Sequence, residues 1–279
     1  MKSLFDKSSL DCCKKITINY STSFSLAIKM LSPNIQDDIY AIYGFVRLAD
    51  EIVDTFEDYN QEKLLTEFEL DYYKALDDKI SLNPILNSFQ EVVLRNNIQE
   101  LVLPFLKSMR MDLHKTKYST QKEYEEYIYG SADVVGLMCL KVFVQGNQKK
   151  YDDLKYYAMK LGSAFQKVNF LRDLNHDFNT LGRTYFPGLN FKNLTLEDKT
   201  KIISEIEFDF QEALKGVKLL PNNARFGVFT AYKYYKNLLL KIKKTHYTEL
   251  LKKRIRINNF SKIIIMSKSY VRYHLNQLM

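Results

Sequence analysis

Of the 279 residues only 9 are Gly and 5 are Pro, too few for the frequent tight turns of a β-sandwich or barrel. Hydrophobic residues make up 46% of the chain, enough for a large core without disulfides, and Cys12, Cys13 and Cys139 have no zinc-type or CxxC spacing. The formal charge of +8 is lopsided, because from Lys233 onward twelve Lys/Arg face one acid, Glu249. Such a flank suits a phosphate-rich partner or an anionic membrane surface, and equally a plain solvated helix face. No nucleic-acid-binding motif accompanies it, so nucleic acid is not expected as a partner. The opening MKSLFDKSSLDCCKK lacks the apolar stretch of a signal peptide, and no run reaches about twenty apolar residues. A reducing, cytoplasmic setting is expected, with peripheral contact at the inner membrane face as its one variation.

Helix signals recur along the chain. Ser32-Pro33 reads as an N-cap with proline at the first helical position, opening a helix through Asp54, and Asn83-Pro84 opens another in the same way. Leu154, Tyr157, Ala158, Leu161, Phe165, Val168 and Leu171 recur at helical spacing. Residues 179–193, NTLGRTYFPGLNFKN, then form a non-helical insertion of a length more often functional than idle. Thr195-Leu-Glu-Asp198 has the form of a capping box with Asp replacing Glu, starting a helix to about Lys218. Pro221 precedes an aromatic-rich helix over roughly 223–245, and a last helix covers roughly 258–277. With no internal repeat or linker, residues 1–279 are expected to form one all-α domain.

Two acidic clusters carry the chemistry. In Arg47-Leu-Ala-Asp50-Glu51-Ile-Val-Asp54, Asp50 and Asp54 share a helix face about 6 Å apart along the axis. Ile42, Phe45, Val46, Leu48, Ala49, Ile52 and Val53 surround them, and carboxylates on so apolar a helix need a cation or strong hydrogen bonds. In the second cluster Asn169, Asp173 and Asp177 line one stripe, with Gln166 and Arg172 nearby. Oxygen donors without His or Cys suit a hard cation such as Mg²⁺, with Mn²⁺ as the alternative, completed by substrate phosphate. Arg47, Arg172 and Arg183 could neutralise the remaining phosphate charge. Either cluster alone could be an ordinary exposed helix face; two with one spacing favour the metal reading. No Gly-bearing twelve-residue loop supports calcium of the EF-hand type.

Lewis-acid assistance to a departing diphosphate leaves an allylic carbocation, which needs a dry cavity walled by aromatic faces. Phe24, Tyr43, Tyr127 and Tyr235 are candidates among 20 Tyr and 18 Phe, each also explicable as core packing. Ala132 and Gly136 would either leave room for an isoprenoid chain or let helices approach closely.

The stretch LGSAFQKVNFLRDLNHDFNTLGRTYFP (161–187) resembles the second signature of squalene and phytoene synthases. The matching positions are Leu161, Gly162, Gln166, Asn169, Arg172, Asp173, Asp177, Arg183, Tyr185 and Pro187. Tyr43, Arg47, Asp50 and Asp54 are similar to the amino-terminal block of that family, and YIYGSADVVG is similar to its middle signature. Asp133 stands there where small residues are usual, Tyr20 where a basic or imidazole side chain is common, and Glu51 where the second Asp of DDxxD would be.

The resemblance implies an isoprenoid-synthase helical bundle around a central cavity, with the acidic clusters facing each other near its mouth. It implies a metal set of Asp50, Asp54, Asn169, Asp173 and Asp177, and a catalytic set of Tyr43, Arg47, Asp50, Asp54, Asp173 and Asp177. Tyr20, Ser21, Thr22, Ser23, Phe24, Tyr127, Gln166, Arg172 and Tyr235 would bind substrate, with Arg183 and Tyr185 on the loop that closes the site. The implied activity is Mg²⁺-dependent head-to-head prenyl transfer, two geranylgeranyl diphosphates giving phytoene, with no NADPH expected. Squalene or dehydrosqualene synthesis from farnesyl diphosphate, a non-catalytic assembly-factor relative and a basic membrane-surface protein are the alternatives.

Overall fold

The computed structural model describes residues 1–189 and 194–275 as helices joined by short connections. The helices are α1 (Lys2–Tyr20), α2 (Thr22–Lys29), α3 (Pro33–Asp54), α4 (Gln61–Asp78), α5 (Pro84–Asn96) and α6 (Gln99–His114). They continue as α7 (Gln121–Ile128), a π-helical turn (Tyr129–Asp133), α8 (Val134–Val144), α9 (Gln148–Asn179) and α10 (Leu196–Leu219). The last three are α11 (Asn222–Lys244), α12 (Tyr247–Leu250) and α13 (Asn259–His274). Among the described residues there is no strand, only an isolated parallel bridge between Lys117 and Thr184.

The sequence signals that open the helices act as their chemistry requires. Pro33 starts α3 at its first position, although the Ser32 side chain makes no cap bond. The Asn83 side chain accepts from the amides of Ile85 and Leu86. At α10 the Thr195 hydroxyl accepts from the Asp198 amide at 3.1 Å, and the Asp198 carboxylate accepts from the Thr195 amide at 3.1 Å.

Two apolar cores result. One joins α1, α3, α4, α5, α6 and α8 around Phe45, whose ring stacks on Phe89 at 3.9 Å. The other joins α7, α9, α10 and α11 around Phe170, Phe210 and Leu238. Between them lies a cavity of about 280 Å³ walled by α2, α3, α8, α9, α10 and α11. Its lining follows helical stripes: Ile39, Ile42, Tyr43 and Val46 on α3, and Leu154, Ala158, Leu161, Gly162, Phe165, Gln166 and Asn169 on α9.

The stretch 121–144 is one continuous helix, long and apolar enough to cross a membrane, but 67% of its most apolar 18-residue window (mean hydropathy 1.5) is buried in the fold. In sequence the stretch does not stand out as an apolar run, because the tyrosines and glutamates of α7 interrupt it before the apolar α8. It is a core helix. Its π turn sends Ala132 to the cavity and turns Asp133 away from it, toward α9, where it accepts from the Ser163 hydroxyl at 2.7 Å. The usual small residue at position 133 is therefore not needed to keep this cavity open.

Ala132 and Gly136 serve both purposes expected of them. They line the cavity, and they let the α8 segment approach α9 so closely that a Cβ at Gly162 would lie 2.7 Å from the Ala132 carbonyl oxygen. That obstacle is backbone and cannot rotate aside. Gly162→Ala should therefore lower stability by about 1–3 kcal/mol, read as a fall in the thermal midpoint.

Candidate active site

The two acidic pairs continue the cavity stripes past their polar end. On α3 the series Tyr43, Val46, Asp50, Asp54 runs along one face, and on α9 Phe165, Asn169, Asp173, Asp177 does the same. The clusters meet there. Enclosure first, then Asp173 and Asp54, push the Asp177 carboxyl up to about 8, so α3 and α9 bring their carboxylates within electrostatic reach. Enclosure and the Asp54 carboxylate push Asp50 up to about 7. The Asp50 side chain is one-third exposed, so it sits in a narrow mouth open to ions.

Arginines hold most of these acids. Arg47 donates from Nη1 to Asp50 at 2.6 Å and pairs through Nη2 with Glu51. Arg172 donates from Nη2 to Asp173 at 2.5 Å, and Arg254 meets the same carboxylate at 2.6 Å. Arg183 donates to Asp54 at 2.5 Å and is itself nearly buried. It reaches α3 because the chain doubles back after α9: Gly182 adopts φ +64°, and the Arg183 amide donates to the Asp177 carbonyl at 2.7 Å. Backbone bonds from the Thr184 amide to Thr116 (2.7 Å) and from the Tyr118 amide to Thr184 (3.1 Å) fasten this loop to the segment after α6. The expected loop starts at Thr180 and lies against the mouth; its residues 190–193 fall outside the described residues.

Sequence reasoning missed Asp112. This buried α6 carboxyl accepts from the Tyr127 hydroxyl at 3.0 Å, and its Oδ1 has no hydrogen-bond partner. Its backbone carbonyl accepts from Arg183 at 3.0 Å. Burial raises its pKa well above the carboxylate range, although Arg183 opposes the shift. No spacing pattern marks it; the only signal is a single acid between Met111 and Leu113.

The other candidates divide between throat and flank. Phe24 and Tyr43 line the cavity, with ring centroids 5.8 Å apart. Tyr235 stacks on the lining ring of Phe165 at 4.0 Å, and its hydroxyl donates to Asn169 at 3.3 Å. The Gln166 amide donates to Ser131 at 3.4 Å. Ser21 caps α2 by accepting from the Phe24 amide at 3.2 Å, Thr22 accepts from Lys262, and Ser23 follows them in the first turn. Tyr20 lies half exposed beneath Arg47, its ring 4.4 Å from the guanidinium carbon. Tyr127 and Tyr185 do not line the cavity. Their rings stack 5.5 Å apart, with Phe170 3.9 Å from Tyr185, and form a buried floor under Arg183. The basic flank folds back over the mouth through Arg254 and Lys262.

A family model described as squalene/phytoene synthase matches residues 18–261, spanning both acidic clusters and the basic flank as far as Arg256. The chain belongs to this family. It is 29% identical over 283 residues to phytoene synthase 1 of Solanum lycopersicum, a match covering 93% of this chain and 65% of that protein. It is 27% identical over 292 residues to 15-cis-phytoene synthase of a Synechocystis species, covering 94% and 84%. A dehydrosqualene synthase solved with a ligand superposes with a TM-score of 0.81 at 22% identity, covering 96% of this chain and 98% of that one. A squalene synthase from Alicyclobacillus acidocaldarius gives 0.73 at 20% identity, covering 86% and 94%. The all-α isoprenoid-synthase architecture expected from the resemblance is thus the fold found.

The donor set of this squalene/phytoene synthase family member suits Mg²⁺. Its oxygens come from carboxylates and one amide without His or Cys, the donor chemistry of a hard cation, although among the described residues no three His, Cys, Asp or Glu side chains come together as a metal-holding group. Asp50 and Asp177 are raised first by burial and next by the neighbouring aspartates, and a divalent ion bound there would oppose both effects.

Because burial favours the uncharged form of Asp112, Asp112→Asn should leave the thermal midpoint near wild type. Asp112→Leu, which strands the Tyr127 hydroxyl, should cost about 1–3 kcal/mol in the same melting experiment.

Proposed function

We propose that the chain joins two prenyl diphosphates head to head, with two geranylgeranyl diphosphates giving phytoene. The observation that carries this reading is the meeting of the two acidic stripes at the mouth of an apolar cavity, Arg183 spanning from the α9 loop to Asp54. Asp50, Asp54, Asn169, Asp173 and Asp177 are the residues that would hold Mg²⁺ or Mn²⁺. Once bound, the ion makes diphosphate a better leaving group. Arg47, Arg172 and Arg183 add fixed positive charge toward the phosphates.

The isoprenoid tail occupies the cavity, whose α9 wall extends from Asn169 down to Leu154, about 22 Å at the helical rise. Phe24, Tyr43 and Phe165 line the cavity and Tyr235 stacks on Phe165, and an aromatic face is worth roughly 0.5–2 kcal/mol to a nearby cation. In the first half-reaction a C–O bond breaks and diphosphate leaves. The double bond of the second substrate captures the allylic cation, and proton loss closes a cyclopropane that keeps one diphosphate. Its departure, rearrangement and a second proton loss give phytoene. No hydride is consumed, so no NADPH enters.

The likeness to dehydrosqualene and squalene synthase structures supports a second reading, condensation of farnesyl diphosphate. Purified protein incubated with Mg²⁺ and each diphosphate, with and without NADPH, separates the two: a C40 hydrocarbon without NADPH is expected, and a C30 product alone would replace phytoene with the alternative. Asp50→Asn or Asp173→Asn should lower turnover at least a hundredfold with circular dichroism unchanged, and near-wild-type activity would remove the metal role.

A cation must displace the protons that Asp50 and Asp177 retain below about 7 and 8. Mg²⁺-dependent binding of inorganic pyrophosphate should therefore tighten as pH rises from about 6 to about 9. Calorimetric titration measures this, and Asp177→Asn should flatten the profile.

A further inference from the structure

We infer that Glu51, although it sits inside the acidic motif, is a positioning residue for Arg47 and not a metal ligand, and that Tyr20 completes the clamp. The inference rests on the diphosphate reading of the site. Glu51 follows Asp50 by one residue and therefore points about 100° away around α3. The difference shows in burial: the Glu51 side chain is 9% exposed, against 34% for Asp50 and 33% for Asp54. Glu51 is turned toward the end of α1, away from the acids of α9.

Three contacts define what it does there. Arg47, one turn earlier, forks between two acids, Nη1 to Asp50 and Nη2 to Glu51. The other Glu51 oxygen accepts from the Tyr20 hydroxyl at 3.1 Å. The Tyr20 ring lies flat enough under Arg47 to put its centroid 4.4 Å from the guanidinium carbon. The guanidinium is thus gripped from an edge by Glu51 and from a face by Tyr20, while its buried Nε has no hydrogen-bond partner.

The clamp explains how Arg47 can serve an anion at all. A site that draws Asp50 toward a cation removes one of the two acids holding Arg47, and a free arginine would lose its fixed direction. Glu51 and Tyr20 remain, and keep the planar fork aimed at the mouth. Tyr20 carries no positive charge to offer a phosphate, and its hydroxyl and ring are both engaged with Glu51 and Arg47.

The test measures binding rather than turnover. Inorganic pyrophosphate is titrated calorimetrically into the full chain at a series of Mg²⁺ concentrations, for wild type, Glu51→Gln, Tyr20→Phe and Asp50→Asn. Glu51→Gln should weaken pyrophosphate roughly tenfold while the Mg²⁺ concentration for half-maximal binding stays within about twofold. Tyr20→Phe, which keeps the ring and loses the hydroxyl, should weaken it by a smaller factor, and circular dichroism should match wild type for both. Asp50→Asn should raise the Mg²⁺ requirement. A raised requirement in Glu51→Gln would make Glu51 a ligand and overturn the inference, as would unchanged pyrophosphate affinity in that variant. Wild type that binds no pyrophosphate with Mg²⁺ would instead bring down the diphosphate reading, and the clamp with it.

Discussion

Like charges confined beside an oily cavity are the constraint on which this molecule is organised. Asp50, Asp54, Asp173 and Asp177 crowd one opening, where low polarity on the cavity side strengthens every repulsion among them. Arg47 offsets Asp50, Arg183 offsets Asp54, and Arg172 and Arg254 together offset Asp173. Asp177 forms no ion pair among the described residues and keeps a proton near neutral pH. Each arginine so paired is held by a carboxylate, and displacing it from that carboxylate would free it for an incoming anion.

The arrangement follows from helix geometry more than from any loop. An apolar stripe that lines a cavity and then turns acidic further along the same face places its carboxylates at the cavity's end, whatever the connections. α3 and α9 both do this, so the spacing of Asp50 with Asp54 and of Asp173 with Asp177 was readable without coordinates. Proline and capping signals made the starts of α3, α5 and α10 equally readable. Facing of the two clusters was legible only through the family resemblance, since no periodicity says which helices meet.

What stayed hidden breaks one of those regularities. Helical spacing assigns faces only while 3.6 residues make a turn, and the π turn at Tyr129–Asp133 shifts the register between α7 and α8. Tyr127 therefore reads as a cavity residue in sequence and lies instead in the stack with Tyr185 and Phe170. Asp112 was invisible for a different reason: its partners Tyr127 and Arg183 lie 15 and 71 positions away, and a lone acid carries no pattern. Glu51 belongs to the same acidic run as Asp50 and Asp54 and stands outside the metal set, but its pairing with Arg47 was not legible.

The walls of the cavity show why space for a tail and tight packing are not competing explanations. Gly136, Gly162, Gly216 and Gly227 all line it, and a methyl group at any of them would meet a neighbouring helix at 2.8 Å or less. Helix backbones pressed this closely leave no slack to collapse inward, so the void between them persists even though nothing polar holds it open. Larger side chains at those positions would push the helices apart and move the α3 and α9 carboxylates with them. Close packing far from the chemistry thus sets the separation of the acids at the mouth, and the width of the tail channel and the geometry of the charged rim become one property of the same helices.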